Sequence, residues 1–329
     1  MQRNLFTAHA IRKVFYEVIR NYPAILIILV SGTMAYVIST LDPAFDALFM
    51  ALFLGILFGS LYRSERKDVV AQKALSVTLP VGIILYGTNI VFPKGVTISP
   101  EYIALSLLST LILGLSVLYL ARLNGIGSKF TTLLTCGNAI CGASAIAIIS
   151  SIINPKKEEF SASIIIITVV GLTGAVVYPS VNYIIGLPDY KYALLSGATL
   201  QQTGLVKIAT SPFSDNLINF ALAIKAVRIA MIAVVALIVS FIYSDHRFYV
   251  PWYIVAFIAM AFLSENILPE AIVRSLQPLS TLAFALTLSS IGFSVNLSDI
   301  QNVRITPLIV VYVGWLFSVI VVILLMSLI

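Results

Sequence analysis

Apolar residues run through this chain in long blocks instead of the one-sided stripes of a soluble fold. The first block extends from Pro23 to Thr40, and further blocks follow at about 45–62, 74–92, 101–121, 130–153, 160–186, 192–210, 216–243, 250–268, 275–297 and 305–328. Pro, Gly, Asp or Lys/Arg separate them, the residues that stop or start helices. A hydrocarbon core about 30 Å thick needs roughly 20 apolar residues per helix, so most blocks match one crossing. The pattern predicts an all-α integral membrane protein of about 10–11 transmembrane helices.

Residues 1–22 read differently. Ile11, Phe15, Val18 and Ile19 recur at helical spacing beside Arg12, Lys13 and Arg20, the mark of an amphipathic helix lying on a cytoplasmic membrane surface. The run from Pro23 is of full span length and is followed by Leu41-Asp42-Pro43, so it is read as a retained span and not a cleaved signal. Residues 23–329 then form a single polytopic domain.

Two blocks are unlike lipid-facing helices. TCGNAICGASAIA (135–147) and SGATLQQTGLVKIAT (196–210) carry Gly, Ser, Thr, Asn and Gln where a lipid-facing span would carry Leu and Ile. Irregular backbone survives at membrane depth only where protein buries it or where it lines a watery cavity. Both stretches are therefore expected to be broken or re-entrant helices in the interior, although close packing of small residues also produces such stretches. A loose likeness between them, and between LYGTNIVF (85–92) and SIGFSVNL (290–297), hints at inverted repeats.

Composition sharpens this picture. The chain is 60% hydrophobic and 10% charged, with a net charge of +6, which excludes an ordinary soluble enzyme. If every block crosses, Arg63, Arg66, Lys67, Arg122, Lys129, Lys191, Arg247 and Arg304 share the side of the basic N-terminus, leaving Lys94, Lys156, Lys157 and Arg274 opposite. That bias predicts a cell-membrane protein with a cytoplasmic N-terminus and an external C-terminus; Lys156 and Lys157 would move inward if 130–153 were re-entrant. It also accounts for the positive charge without nucleic acid, for which no basic domain or motif exists. Cys136 and Cys141 lie five apart and imply neither a disulfide framework nor a metal site.

All fourteen acidic residues fall in loops or at helix ends, against buried-carboxylate cation transport. Three cations do fall inside apolar runs: Lys207, Lys225 and Arg228. Lys225 and Arg228 share one helix face, where two positive charges repel unless an anion or helix C-terminal carbonyls lie between them. Snorkelling to a headgroup layer is the other way to house them. Catalysis is not expected. His9 and His246, the two histidines, lie outside the apolar runs, so Ser144 in GASA has no His partner within the membrane.

CGNAICGASAIAI (136–148), SGATLQQT (196–203), KAVR (225–228) and Pro251-Trp252 together resemble the YeiH-like conserved multi-pass membrane proteins, a family labelled as sulfate exporters. Where relatives often carry a His-Glu pair before the Thr, this chain has Gln201-Gln202-Thr203, which keeps hydrogen-bonding capacity and removes groups that could carry a proton. The resemblance implies a transporter with crossed, broken helices that moves a small oxyanion. The expected function is secondary-active transport of a sulfate-like or organosulfur anion, with an anion-selective channel as the alternative and no cofactor. The expected site combines Asn138, Gly142, Ser144, Gln201, Gln202, Thr203, Lys225 and Arg228, with helix N-termini holding the oxyanion. The expected partners are the anion and the lipid bilayer; assembly into a homo-oligomer is left open.

Overall fold

Gly87, Asn124, Asn154 and Gly186 each stand just past the end of an apolar helix, and helices fill most of the described chain. The computed structural model describes the chain apart from residues 1, 43–44, 63, 65, 91–97, 244–250, 296–303 and 328–329, with side chains described from Asn21 onward. The described residues form thirteen α-helices and no strand. These are α1 (Gln2–Leu41), α2 (Ala47–Leu61), α3 (Lys67–Tyr86), α4 (Pro100–Leu123), α5 (Ser128–Ala139), α6 (Ala143–Ile153) and α7 (Lys157–Ile185). There follow α8 (Asp189–Thr199), α9 (Thr203–Thr210), α10 (Asp215–Tyr243), α11 (Trp252–Asn266), α12 (Glu270–Ser294) and α13 (Thr306–Met326). The N-terminal segment and the first apolar block are one uninterrupted helix.

Seven of these helices are long and apolar enough to cross a bilayer: Asn21–Leu41 within α1, and α3, α4, α7, α10, α12 and α13. The protein is thus an all-α integral membrane protein. The helices gather into two groups. In the first, α12 packs along α1, α2, α3 and, through the turn Gly87–Asn89, beside α11. Glycine makes the tightest of these contacts: a Cβ at Gly55, Gly59 or Gly292 would strike the facing backbone of α2 or α12, so only glycine lets the two helices approach this closely. The second group holds α4 to α10 with α13, and the two groups touch mainly where α2 and α12 meet α6 and α7.

Two of the eleven blocks, 130–153 and 192–210, are the broken helices that their composition led us to expect, and both re-enter instead of crossing. Lys129, near the start of α5, donates from Nζ to the carbonyl of Asn154, just past the end of α6, at 2.8 Å. Block 130–153 therefore returns to the end of the bundle it left. Block 192–210 does the same: Tyr192, at the start of α8, donates its hydroxyl to the carbonyl of Ala209, at the end of α9, at 2.8 Å. At 1.5 Å per residue, helices of 8–12 residues reach only about 12–18 Å, roughly half a hydrocarbon core. The turn residues explain the reversal. Gly142 sits at φ 69, ψ −128, a conformation closed to L side chains, and Leu200 and Gln202 are extended between α8 and α9.

Two re-entrant hairpins also move charges. Lys156 and Lys157 join the end that holds Asp68, whose carboxylate Lys157 reaches at 2.6 Å. Lys191 lies at the opposite end, where its Nζ donates to the carbonyl of Met326 at 2.8 Å. These placements reverse the ones that eleven crossings gave. Arg63, Lys94 and Arg247 lie outside the described residues, as do parts of both echo segments, 85–92 and 290–297.

Candidate functional site

Each hairpin brings two helix ends to its tip: the C-terminus of α5 or α8, and the N-terminus of α6 or α9. A helix end carries roughly half an elementary charge, negative at the C-terminus and positive at the N-terminus. The hairpins come from opposite ends of the bundle and meet tip to tip. Gln201 donates from Nε2 to Asn138 Oδ1 at 2.9 Å, and Asn138 donates from Nδ2 to the carbonyl of Leu113 in α4 at 3.0 Å. Gly142 lies against Gln202, so a Cβ there would stand 2.8 Å from Gln202 Cγ.

Lys225 and Arg228 of α10 close this junction. Both are fully buried. Lys225 donates from Nζ to the carbonyls of Ile140 at 2.6 Å and Leu200 at 2.7 Å, one from each hairpin. Arg228 donates to Asn138, Ala139, Gly197 and Leu200, again across both. Every described hydrogen bond of the two cations ends on a backbone carbonyl near a helix C-terminus. Of the two ways the sequence offered to keep paired cations apart, the structure shows helix carbonyls. Neither cation snorkels.

With the C-terminal ends held by Lys225 and Arg228, the N-terminal ends of α6 and α9 remain for another partner. They face a cavity of about 460 Å³. Ser144, Gln202 and Thr203 line it, together with Cys141 and Gly204. Gln202 donates from Nε2 to Thr168 Oγ1 at 3.2 Å, and its buried Oε1 has no partner among the described atoms. All eight residues expected at the site thus meet at the junction, in two roles. Ser144, Gln202 and Thr203 face the cavity; Asn138, Gln201, Lys225 and Arg228 fasten the tips, and Gly142 makes the turn between them.

The cavity also has walls that sequence reasoning missed. Asp46, Tyr86, Lys207, Arg274 and Gln277 line it, brought by α2, α3, α9 and α12. Asp46 caps α2, accepting the Phe49 amide on Oδ1 at 2.8 Å. Burial pushes its carboxyl up from the usual range, against the downward pull of the Phe49 and Leu48 amides. An acid just before an apolar run is an N-cap signal in the sequence, but nothing local says that the cap faces a cavity. A separate cavity of about 570 Å³ lies toward the other end of the bundle, lined by α3, α11 and α12 on one side and, on the other, by Ser150 and Ser151 of α6 and Asn154 just past it. Both cavities lie between the two helix groups, one beyond each end of α6.

Fold and site together define a multi-pass membrane protein with two opposed re-entrant hairpins stitched at their tips by buried cations. The chain belongs to the family described as Conserved hypothetical protein 698, whose model matches residues 23–311. It is 47% identical to a UPF0324 membrane protein of Archaeoglobus fulgidus over 308 residues, covering 94% of this chain and 93% of the relative. A UPF0324 membrane protein of Agrobacterium fabrum is 29% identical over 203 residues, 58% of each chain, and one of Brucella suis is 30% identical over 192 residues, 56% of this chain and 57% of the relative. No solved structure matches the chain.

Proposed function

We propose that the protein is a secondary-active transporter of a small anion, a sulfate-like oxyanion or an organosulfur anion, and not an enzyme. The observation that carries this reading is the convergence of two half-helix N-termini, α6 and α9, on one cavity. In charge terms the four helix ends roughly cancel, which leaves the two formal charges of Lys225 and Arg228 at the junction. An anion in the cavity balances them, held by Ser144, Gln202, Thr203 and the free amides of both helix starts.

The two cavities support alternating access. Each lies between the two helix groups, and α6 separates them. Sliding the hairpin group past α2 and α12 would close one and open the other, carrying the anion with α6 and α9. Among the described cations, Arg66, Lys67, Arg122, Lys129, Lys156 and Lys157 sit at the end of the bundle where α1 begins, and Lys191, Lys207 and Arg274 at the other. The bias supports a cytoplasmic N-terminus in a cell membrane, with the site cavity opening outward.

Counterflow of labelled sulfate in proteoliposomes, with unlabelled sulfonates and other oxyanions as competitors, tests the reading. Saturable exchange, accelerated by anion on the far side, is expected. Flux that never saturates and shows no counterflow would favour an anion channel, and no anion flux at all would overturn the reading.

A further inference from the structure

The cavity is larger and more mixed in charge than a bare oxyanion requires. A tetrahedral oxyanion fills about the space of two waters, roughly 60 Å³, against about 460 Å³ here. Beyond the helix N-termini, the walls offer apolar surface from Phe45, Leu48 and Pro278. They also offer the half-buried Asp46 carboxyl, which accepts from the Phe49 and Leu48 amides and has acceptor capacity to spare. Asp46 forms no described ion pair with Lys207 on the same wall, and Arg274 there is engaged by Glu270. A fully ionised inorganic oxyanion donates no hydrogen bond. It would leave that acceptor capacity unused, and it would be repelled by Asp46.

Resting on the reading of this cavity as an anion site, we propose that its ligand is a short zwitterion: an acidic group on the α6 and α9 N-termini, a few methylenes against the apolar wall, and an ammonium donating to Asp46. Desolvation of the Asp46 carboxyl is what an ammonium beside it would offset. The arrangement discriminates by charge at both ends, because a ligand lacking the ammonium leaves the Asp46 carboxylate opposed.

Matched ligands test this. Binding of propanesulfonate, 3-aminopropanesulfonate and sulfate to the purified full-length protein is measured by calorimetry, for the wild type and for Asp46→Asn. Asparagine keeps the oxygen that caps α2 and removes the charge, and an unchanged unfolding temperature without ligand confirms that the variant folds. The wild type is expected to bind 3-aminopropanesulfonate at least tenfold more tightly than propanesulfonate. Asp46→Asn is expected to erase that preference and to bind propanesulfonate more tightly than the wild type does. Equal binding of the two sulfonates by the wild type, or a preference that survives in Asp46→Asn, would overturn the zwitterion and leave the anion site standing. Failure of all three ligands to bind would overturn both.

Discussion

Arg228 grips Ala139 with two donors at once, Nε at 3.1 Å and Nη2 at 2.7 Å from the same carbonyl oxygen. Nη1 of the same guanidinium reaches Leu200 in the other hairpin at 2.8 Å. The planar fork holds both hairpins with several donors in one fixed geometry, whereas the Lys225 ammonium reaches one carbonyl of each. Arg228→Gln should therefore destabilise the fold by at least about 3 kcal/mol, since hydrogen bonds to a charged group contribute roughly 1.5–3 kcal/mol each and the carbonyls left behind are buried. Arg228→Lys should recover part of that loss. Unfolding followed in detergent by loss of helical signal checks the order; a Gln variant as stable as the wild type would show that the guanidinium is not what joins the tips.

The Gln201 and Asn138 pair should behave as a unit. Each single alanine variant breaks the same 2.9 Å bond, so the double variant should cost less than the sum of the singles, with a coupling between about 0.5 and 3 kcal/mol. A double-mutant cycle on unfolding free energy measures it directly. Additive losses would mean that the hairpins do not depend on each other at this point.

Gly142→Ala should be harmful twice over. The backbone at φ 69 resists any side chain, and the new Cβ would stand 2.8 Å from Gln202 Cγ at the cavity wall. A stability loss of more than about 1 kcal/mol is expected, and anion exchange in proteoliposomes should fall further than that loss accounts for. Gly186, also at positive φ but with open space around it, is the control: its Ala variant should lose stability and keep exchange.

Much of this architecture was legible in the sequence, and the exceptions have a common cause. Gly142, Asn138 and the Gln201-Gln202 pair marked the breaks, because polar and small residues inside apolar blocks have few other uses at membrane depth. Whether such a block crosses in broken form or turns back was not legible. Residues 130–153 are long enough to cross, and reversal shows only in contacts between distant residues, such as Lys129 with Asn154. The same holds for the site. Ser144, Gln202 and Thr203 sit in recognisable segments, whereas Asp46 and Tyr86 come to the cavity from other helices and belong to no local pattern. Lys225 and Arg228 were conspicuous as buried charges, yet whether such charges meet an anion or helix carbonyls depends on which tips α10 passes.

The reversal has its own test. In a background with Cys136 and Cys141 replaced, cysteines at Asn124 and Lys156, both exposed, should react with an impermeant reagent from the same side of the membrane. A cysteine at Asp189, also exposed, should react from the other side. Asn124 and Lys156 labelled from opposite sides would restore a crossing at 130–153 and remove the first hairpin.

The most direct test of an anion site between the hairpin tips uses Cys141, which lines the cavity beside Ser144 and Gln202. With Cys136 replaced by alanine, Cys141 remains as the protein's single thiol, and its rate of reaction with a small impermeant thiol reagent reports access to the site. Added ligand, whether sulfate or 3-aminopropanesulfonate, should slow that reaction in a saturable way, with half-protection at the concentration that half-saturates counterflow. A labelling rate indifferent to every anion that the protein exchanges would place the substrate elsewhere and contradict the account.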